Sequence, residues 1–349
     1  MMRLILCRTL IGACVFTSLR LSAQEVRFSQ YNAAPLQLNP ASAGTAESPT
    51  LGLNYRVQQL GILAYKTGYF SAMLPFSGGS DGQGTLPWGG LGVGLLSDLA
   101  GEQNELRTMQ FDLSGSYNLP LNRPRTHFLT FGLQASYQQT NVNYGRLTWP
   151  SQITYRGFEG PSPQVGYETG VSALRFNSGL IWTYDPMRNP WRKIQRFRLH
   201  AGLAMANLNR PDYSYLRDGS SRLSRVLRLH GGGQFYLNRR VHLSPDFLII
   251  RQASLSQYAA GLVLGLHTVP DTAPRLADFS VRIGSWYRYQ DAVVVLIGGT
   301  HRQVDAALSY DLSASADRTG IPRQHTLELS LRYQFTNHRT PEVLPTPLF

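Results

Sequence analysis

The feature that most constrains the fold is a strict two-residue alternation sustained over segments of ten to fifteen residues. From Met109 to Leu119 one face carries Met109, Phe111, Leu113, Gly115, Tyr117 and Leu119, and the other carries Gln110, Asp112, Ser114, Ser116 and Asn118. The next segment repeats it, with Leu129, Phe131, Leu133, Ala135 and Tyr137 against Thr130, Gly132, Gln134, Ser136 and Gln138. A helix cannot hold such a pattern on one side, whereas a strand places alternate residues on opposite faces. Fourteen strands are predicted, at about 51–58, 66–76, 88–98, 105–119, 126–140, 168–185, 195–207, 223–237, 240–250, 255–268, 277–290, 291–300, 302–313 and 324–336. Turn formers such as Asn122-Arg123-Pro124, Asp185-Pro186 and Asn238-Arg239 separate them, and 141–166 and 208–222 are expected as exposed loops.

A soluble multi-sheet protein and a membrane barrel both fit alternation, but several facts favour the barrel. The segments reach the 9 to 11 residues or so that a tilted strand needs to cross a bilayer. Their faces separate into apolar and small or polar, matching lipid outside and water inside. Aromatics fall at segment ends, at Tyr117, Tyr137, Tyr236, Tyr287, Tyr333 and Phe335, where interfacial girdles lie. Closure also removes the sheet edges that lipid would leave without hydrogen bonds. The fold class is therefore all-β, a transmembrane outer-membrane barrel of about fourteen antiparallel strands. No apolar run of spanning-helix length follows residue 23, so a polytopic helical protein is excluded. The net charge is +12, but the positive residues are nearly all scattered arginines, with lysine only at Lys66 and Lys193. Nucleic-acid binding would concentrate them in blocks or on one face, so no nucleic-acid partner is expected.

On the inward phase fall Arg56, Arg198, Arg228, Arg282, Arg288 and Arg332, with Asp112, Asp305, Asp311 and Glu328. Either these charges pair across a polar lumen, or they hold an anionic or peptide partner. At mid-bilayer on the lipid face each arginine would cost about 2–4 kcal/mol. Inward His200 and His230 join no nucleophile and base in a recognisable motif, so lumen-lining histidines are the better reading and no catalytic residue is assigned. Gly90, Gly92 and Gly94 alternate with Leu91, Val93 and Leu95 and precede no helix, so they are small residues on one strand face and not a phosphate loop. Asp98 and Glu102 read as an ordinary loop pair, and no metal or cofactor signature is present.

Residues 1–23 carry Arg3 and Arg8, an apolar stretch from Leu10 to Phe16, and Leu21-Ser22-Ala23, which reads as a secretory signal peptide. A lipoprotein-type alternative would process at Ile11-Gly12-Ala13-Cys14. Cleavage after Ala23 removes Cys7 and Cys14, the only cysteines, and excludes disulfides and thiol chemistry from the mature chain. Residues 24–50 contain Phe28, Tyr31, Leu36 and Leu38 among Pro, Asn and Ala, too many apolar anchors for a disordered tail, so this segment is expected to dock on or in the barrel. The barrel would occupy 51–336 and a Pro-containing tail 337–349.

The run Phe28-Ser29-Gln30-Tyr31, followed by Pro35 to Gly44 with Asn39 and Pro40 inside it, resembles the start of the mature PorP/SprF family of type IX secretion system membrane proteins of Bacteroidetes-type bacteria. NYRVQ at 54–58, GLAMANLNRPDYSY at 202–215, WYRYQDAVVVLIG at 286–298, SYDLSAS at 309–315 and LELSLRYQF at 327–335 extend the resemblance in order. The resemblance implies a fourteen-stranded outer-membrane barrel, not an enzyme, that assists secretion or surface attachment of type IX cargo such as gliding adhesins. It also implies an OmpA-like, peptidoglycan-binding partner on the periplasmic side. A solute channel selecting small anions through an arginine-rich lumen is the alternative.

Overall fold

A computed structural model describes residues 27–60, 63–77, 87–101, 103–123, 125–146, 153–154, 157–158, 168–186, 197–215, 219–238, 240–267, 279–313 and 324–335. Residues 1–23, 337–349 and Glu102 lie outside them. The strands are β1 (Thr50–Leu60), β2 (Leu63–Ser77), β3 (Pro87–Ala100), β4 (Leu106–Pro120), β5 (His127–Val142), the two-residue pair β6 (Ile153–Thr154) and β7 (Gly157–Phe158), β8 (Gly170–Tyr184), β9 (Phe197–Ala206), β10 (Val226–Tyr236), β11 (Val241–Gln252), β12 (Leu255–His267), β13 (Phe279–Arg288), β14 (Ala292–His301), β15 (Val304–Ser313) and β16 (Gln324–Gln334). All but β6 and β7 form one closed antiparallel barrel of fourteen strands, in which β1 pairs with both β2 and β16. Closure leaves no sheet edge, the condition for a sheet to sit in lipid.

The outer surface is a band of exposed apolar side chains, among them Leu53, Leu95, Phe111, Leu133, Leu203, Ile283, Ile297, Leu308 and Leu329. So large an exposed apolar wall is stable only under lipid, and the chain is an outer-membrane barrel. Tyr117, Tyr137, Tyr287, Tyr333 and Phe335 point outward near strand ends, where amphipathic rings meet the interface. Tyr236 does not share their place. It follows Arg228, His230 and Gln234 on the inner phase and lies beside the rings of His242 and His267, with centroids at 5.6 and 6.3 Å. Its neighbour Phe235 takes the outward position.

Two further expectations are corrected inside the barrel. Asp98 lies within β3 and accepts a 2.5 Å hydrogen bond from Thr67 Oγ1, so it belongs to no loop pair. The inner face is also not polar throughout. Val226, Leu248, Ile250, Val294 and Leu296 are buried inside β10, β11 and β14 and pack with Trp286 of β13. Here AVVVLI at 292–297 and FLII at 247–250 are apolar on both phases, because one phase faces lipid and the other faces an internal core.

At one end of the barrel lie Thr50, where β1 begins, and Gln334, where β16 ends; at the opposite end β5 and β8 are joined through 143–169 and β9 and β10 through 207–225. Residues 147–152, 155–156 and 159–167, which make up most of the expected loop 141–166, and 216–218 lie outside the described residues. The 207–225 connection is not simply an exposed loop. Tyr213 is buried in the mouth, its hydroxyl 2.5 Å from Thr140 Oγ1 and 3.2 Å from Gln138 Nε2, and it packs with Val171 and Ala173. Asn207 turns the chain inward with φ of 58°, tied by its backbone N–H to Asn177 Oδ1 at 3.0 Å.

Candidate functional site

Residues 27–49 occupy the lumen. Prolines set their path, since each lacks an N–H and has a φ suited to the first position of a helical turn. Pro35 opens the turn Pro35–Leu38 and Pro40 opens Pro40–Gly44, while Asn39 between them accepts the Ala41 N–H at 3.0 Å. The residues that follow are so small that the plug packs against the wall backbone to backbone. At Gly132 a Cβ would lie 2.2 Å from Ala41 N, and at Gly90 2.1 Å from the Ala43 carbonyl oxygen. At Gly179 it would meet Asn39 Oδ1 at 1.8 Å, and at Gly92 Leu36 Cδ2 at 2.7 Å. Gly90 and Gly92 of β3 are thus part of a groove, shared with β5 and β8, that receives the plug, whereas Gly94 faces Tyr69 and Asp112 of the wall. Asn39 is anchored further by its Nδ2, which lies 3.1 Å from the Leu180 carbonyl oxygen and 3.1 Å from His230 Nε2. Asn118 Nδ2 donates to the Gly44 carbonyl at 2.6 Å.

The Phe28–Tyr31 half is held by charge. Buried Glu328 receives the backbone N–H groups of Ser29 at 2.6 Å and Gln30 at 2.9 Å, and Arg56 stands opposite it in register with Nε 3.3 Å from the carboxylate. The Ser29 hydroxyl donates to Asp311 at 2.6 Å, and Arg288 bridges that carboxylate and the same hydroxyl at 2.8 and 2.6 Å. Gln30 binds Ser309 Oγ and the Glu328 carbonyl and accepts from Ser330 Oγ. Asp246 gathers three donors, Tyr31 OH at 2.7 Å, Asn32 Nδ2 at 2.7 Å and Trp286 Nε1 at 2.5 Å. Burial, then the neighbouring Asp246 charge, raises the Tyr31 phenol pKa well above its ordinary range, so this hydroxyl keeps its proton. Phe28 packs on Tyr69 of β2, ring centroids 6.1 Å apart.

All six inward-phase arginines face the interior, but they do not form one site. Arg56 and Arg288 belong to the plug anchor, and Arg332 adds a 3.3 Å contact to the Asn32 carbonyl. Arg282 forms a two-pronged pair with Asp305, one prong at 2.8 Å, and Thr300 donates to the same carboxylate. Arg198 pairs separately with Asp185 at 3.0 Å, and Arg228 lines a cavity on the other side of the plug. Asp112, buried, accepts from Gln110 Nε2 at 2.7 and 2.9 Å. Arg175, Asp185, Asp246 and Trp286 are interior residues that the sequence reading did not single out. All four share the phase of inward neighbours, Trp286 falling between Arg282 and Arg288 on β13, so strand phase could have found them. His200 and His230 lie with ring centroids 6.1 Å apart, and His230 is a plug contact. Among the described residues no group of three or more His, Cys, Asp or Glu forms a metal centre. The plug divides the lumen into two chambers. One, of about 160 Å³, lies toward the end where β1 begins, and one of about 310 Å³ lies beneath the 207–225 connection.

Comparison with solved structures returns outer-membrane barrels. A mutant of the TodX monoaromatic hydrocarbon channel is 14% identical, with a TM-score of 0.51, covering 87% of this chain and 94% of that one. The Ralstonia pickettii toluene transporter TbuX is 12% identical with a TM-score of 0.50, again covering 87% and 94%. At such identity the likeness is one of fold. No curated protein matches the sequence. The profile of the type IX secretion system membrane proteins PorP/SprF matches residues 21–333, from before the plug to the end of the last strand. This plugged outer-membrane barrel belongs to the type IX secretion system membrane protein family PorP/SprF.

Proposed function

We propose that the protein is a non-enzymatic accessory of the type IX machinery, a scaffold that assists secretion or surface anchoring of cargo such as gliding adhesins. The observation that carries this reading is the plug. The segment with the family's opening motif is built into the lumen through buried carboxylates and a glycine groove, which suits a scaffold better than a conduit. Residues 1–23 act as the export signal, and the end where β1 begins faces the periplasm, since barrels of this kind keep longer loops outside. The 143–169 and 207–225 connections then face the cargo, and the periplasmic end meets an OmpA-like, peptidoglycan-binding partner. Gentle extraction of the tagged protein from native outer membrane, with mass spectrometry of what copurifies, tests this. Recovery of a large secreted adhesin or a peptidoglycan-binding protein supports the reading, and recovery of the barrel alone under conditions that preserve other complexes counts against it. Exchange of the two long connections is expected to reduce cargo display, and unchanged display would remove them from the role.

A second reading, a solute channel, draws on the two internal chambers and on fold neighbours described as hydrocarbon channels and toluene transporters. It requires the plug to move, and it predicts stable conductance of the native protein in a planar bilayer.

A further inference from the structure

The outward phase of the barrel is nearly free of charge, and its exceptions are one-sided. Every carboxylate within the fourteen strands, Asp98, Asp112, Asp246, Asp305, Asp311 and Glu328, falls on the inward phase. The outward phase carries Lys66, Arg107 and Arg251, and exposed Arg225, one residue before β10, continues it. All four stand at the strand ends opposite the start of β1. At the other ends this phase presents aromatic rings, among them Trp182, Tyr184, Phe197 and Phe235, and exposed arginines such as Arg125 and Arg302 lie out in the turns.

Two of the four cations are neighbours. Leu227 pairs with Arg251, and Arg225 lies two residues before Leu227, so the arginines are diagonal partners across β10 and β11, about 7–8 Å apart at that spacing. Exposed Ser256 of β12 pairs with Arg251 from its other side and offers a hydroxyl. Among the described residues neither arginine has a carboxylate partner. Leu227, Leu229 and Phe247 are exposed and continue the same face toward the middle of the membrane. Lys66 and Arg107, by contrast, both pair with Leu99, which stands between them. An outward cation costs little near the interface, which explains why charge is tolerated there but not why two guanidinium groups meet with no carboxylate between them. An anion bridging them relieves their repulsion, and their forked N–H donors match the oxygens of a phosphate.

We infer that Arg225 and Arg251 hold the phosphate of a lipid headgroup, whose acyl chains lie on Leu227, Leu229 and Phe247. Arg225 is the last residue of the 207–225 connection, so the bound lipid ties the base of that connection to the membrane surface. The orientation given above puts the lipid in the leaflet on the cell-surface side, but the site itself depends neither on that orientation nor on the secretion role.

The test is native mass spectrometry of the full-length protein in nonionic detergent, titrated with dioleoyl phosphatidate and with dioleoylglycerol as the phosphate-free equivalent. One phosphatidate per barrel should be retained at least about fivefold better than dioleoylglycerol, a comparison that needs only the native protein. Arg225→Gln with Arg251→Gln should lower phosphatidate retention at least about fivefold and leave dioleoylglycerol unchanged. Lys66→Gln with Arg107→Gln removes the same charge and should change retention by less than about twofold. Heat-modifiable migration on gels verifies that each barrel is folded. Excess inorganic phosphate, which lacks the chains, should not displace the lipid. Equal retention of the two lipids, equal losses in the two double variants, or displacement by inorganic phosphate would overturn the proposal.

Discussion

At Gly132 the plug and the barrel wall meet backbone to backbone, and a single methyl group decides whether they can. A Cβ there lies 2.2 to 2.5 Å from Ala41 N, Ala41 Cα and the Pro40 carbonyl carbon, none of them the end of a flexible side chain. Gly132→Ala should therefore dislodge the plug without preventing closure, read as faster proteolysis of the 27–44 segment in a barrel that still migrates as folded. Gly68→Ala, where nothing lies within 4 Å, is the control and should change neither. Glu328 presents a different kind of dependence. It is buried beside Arg56 and takes two plug N–H groups, so Arg56→Met strips a buried carboxylate of its cation. Breaking such a pair typically costs about 3–5 kcal/mol, more than replacing both members together. Urea unfolding of Arg56→Met, Glu328→Gln and the double variant should show the single losses exceeding the double, and strict additivity would refute the coupling.

Among the elements, the plug and the 207–225 connection depend least on strand geometry. Tyr31→Phe removes one of three donors to Asp246 while keeping the ring in the internal core. Hydrogen bonds to charged groups contribute about 1.5–3 kcal/mol, so the variant should lose about that much stability, measured by the same unfolding, with the barrel intact. Tyr213→Ala should free the 207–225 connection, seen as faster amide hydrogen exchange confined to it and to the adjoining ends of β5 and β8. The strands themselves were legible because alternation is local, and every predicted strand is present within a few residues. What strand phase cannot convey is which inner residues meet. Arg56 and Glu328 are 272 positions apart and adjacent only through the β1–β16 closure. The apolar inner wall was hidden for a related reason, since a run such as AVVVLI has no alternation and the partner that makes its inner side apolar is a plug far away in sequence. Tyr236 was misplaced by assuming that every strand-end aromatic faces the interface.

At the scale of the molecule, one wall separates lipid from an interior that holds the plug and two chambers. The outer face tolerates no charge near its middle. Leu308→Arg, at an exposed site halfway along β15, should destabilise the barrel by about 2–4 kcal/mol in lipid, whereas its inward neighbour Ser309 contacts the plug through Gln30. The central claim is that the native barrel is closed by its own N-terminal segment and acts as a scaffold. Single-channel recording of the full-length protein and of Gly132→Ala in planar bilayers tests it most directly. The account predicts that the native protein stays silent while the variant conducts, in bursts or steadily. Stable conductance of the native protein, equal to that of the variant, would contradict it.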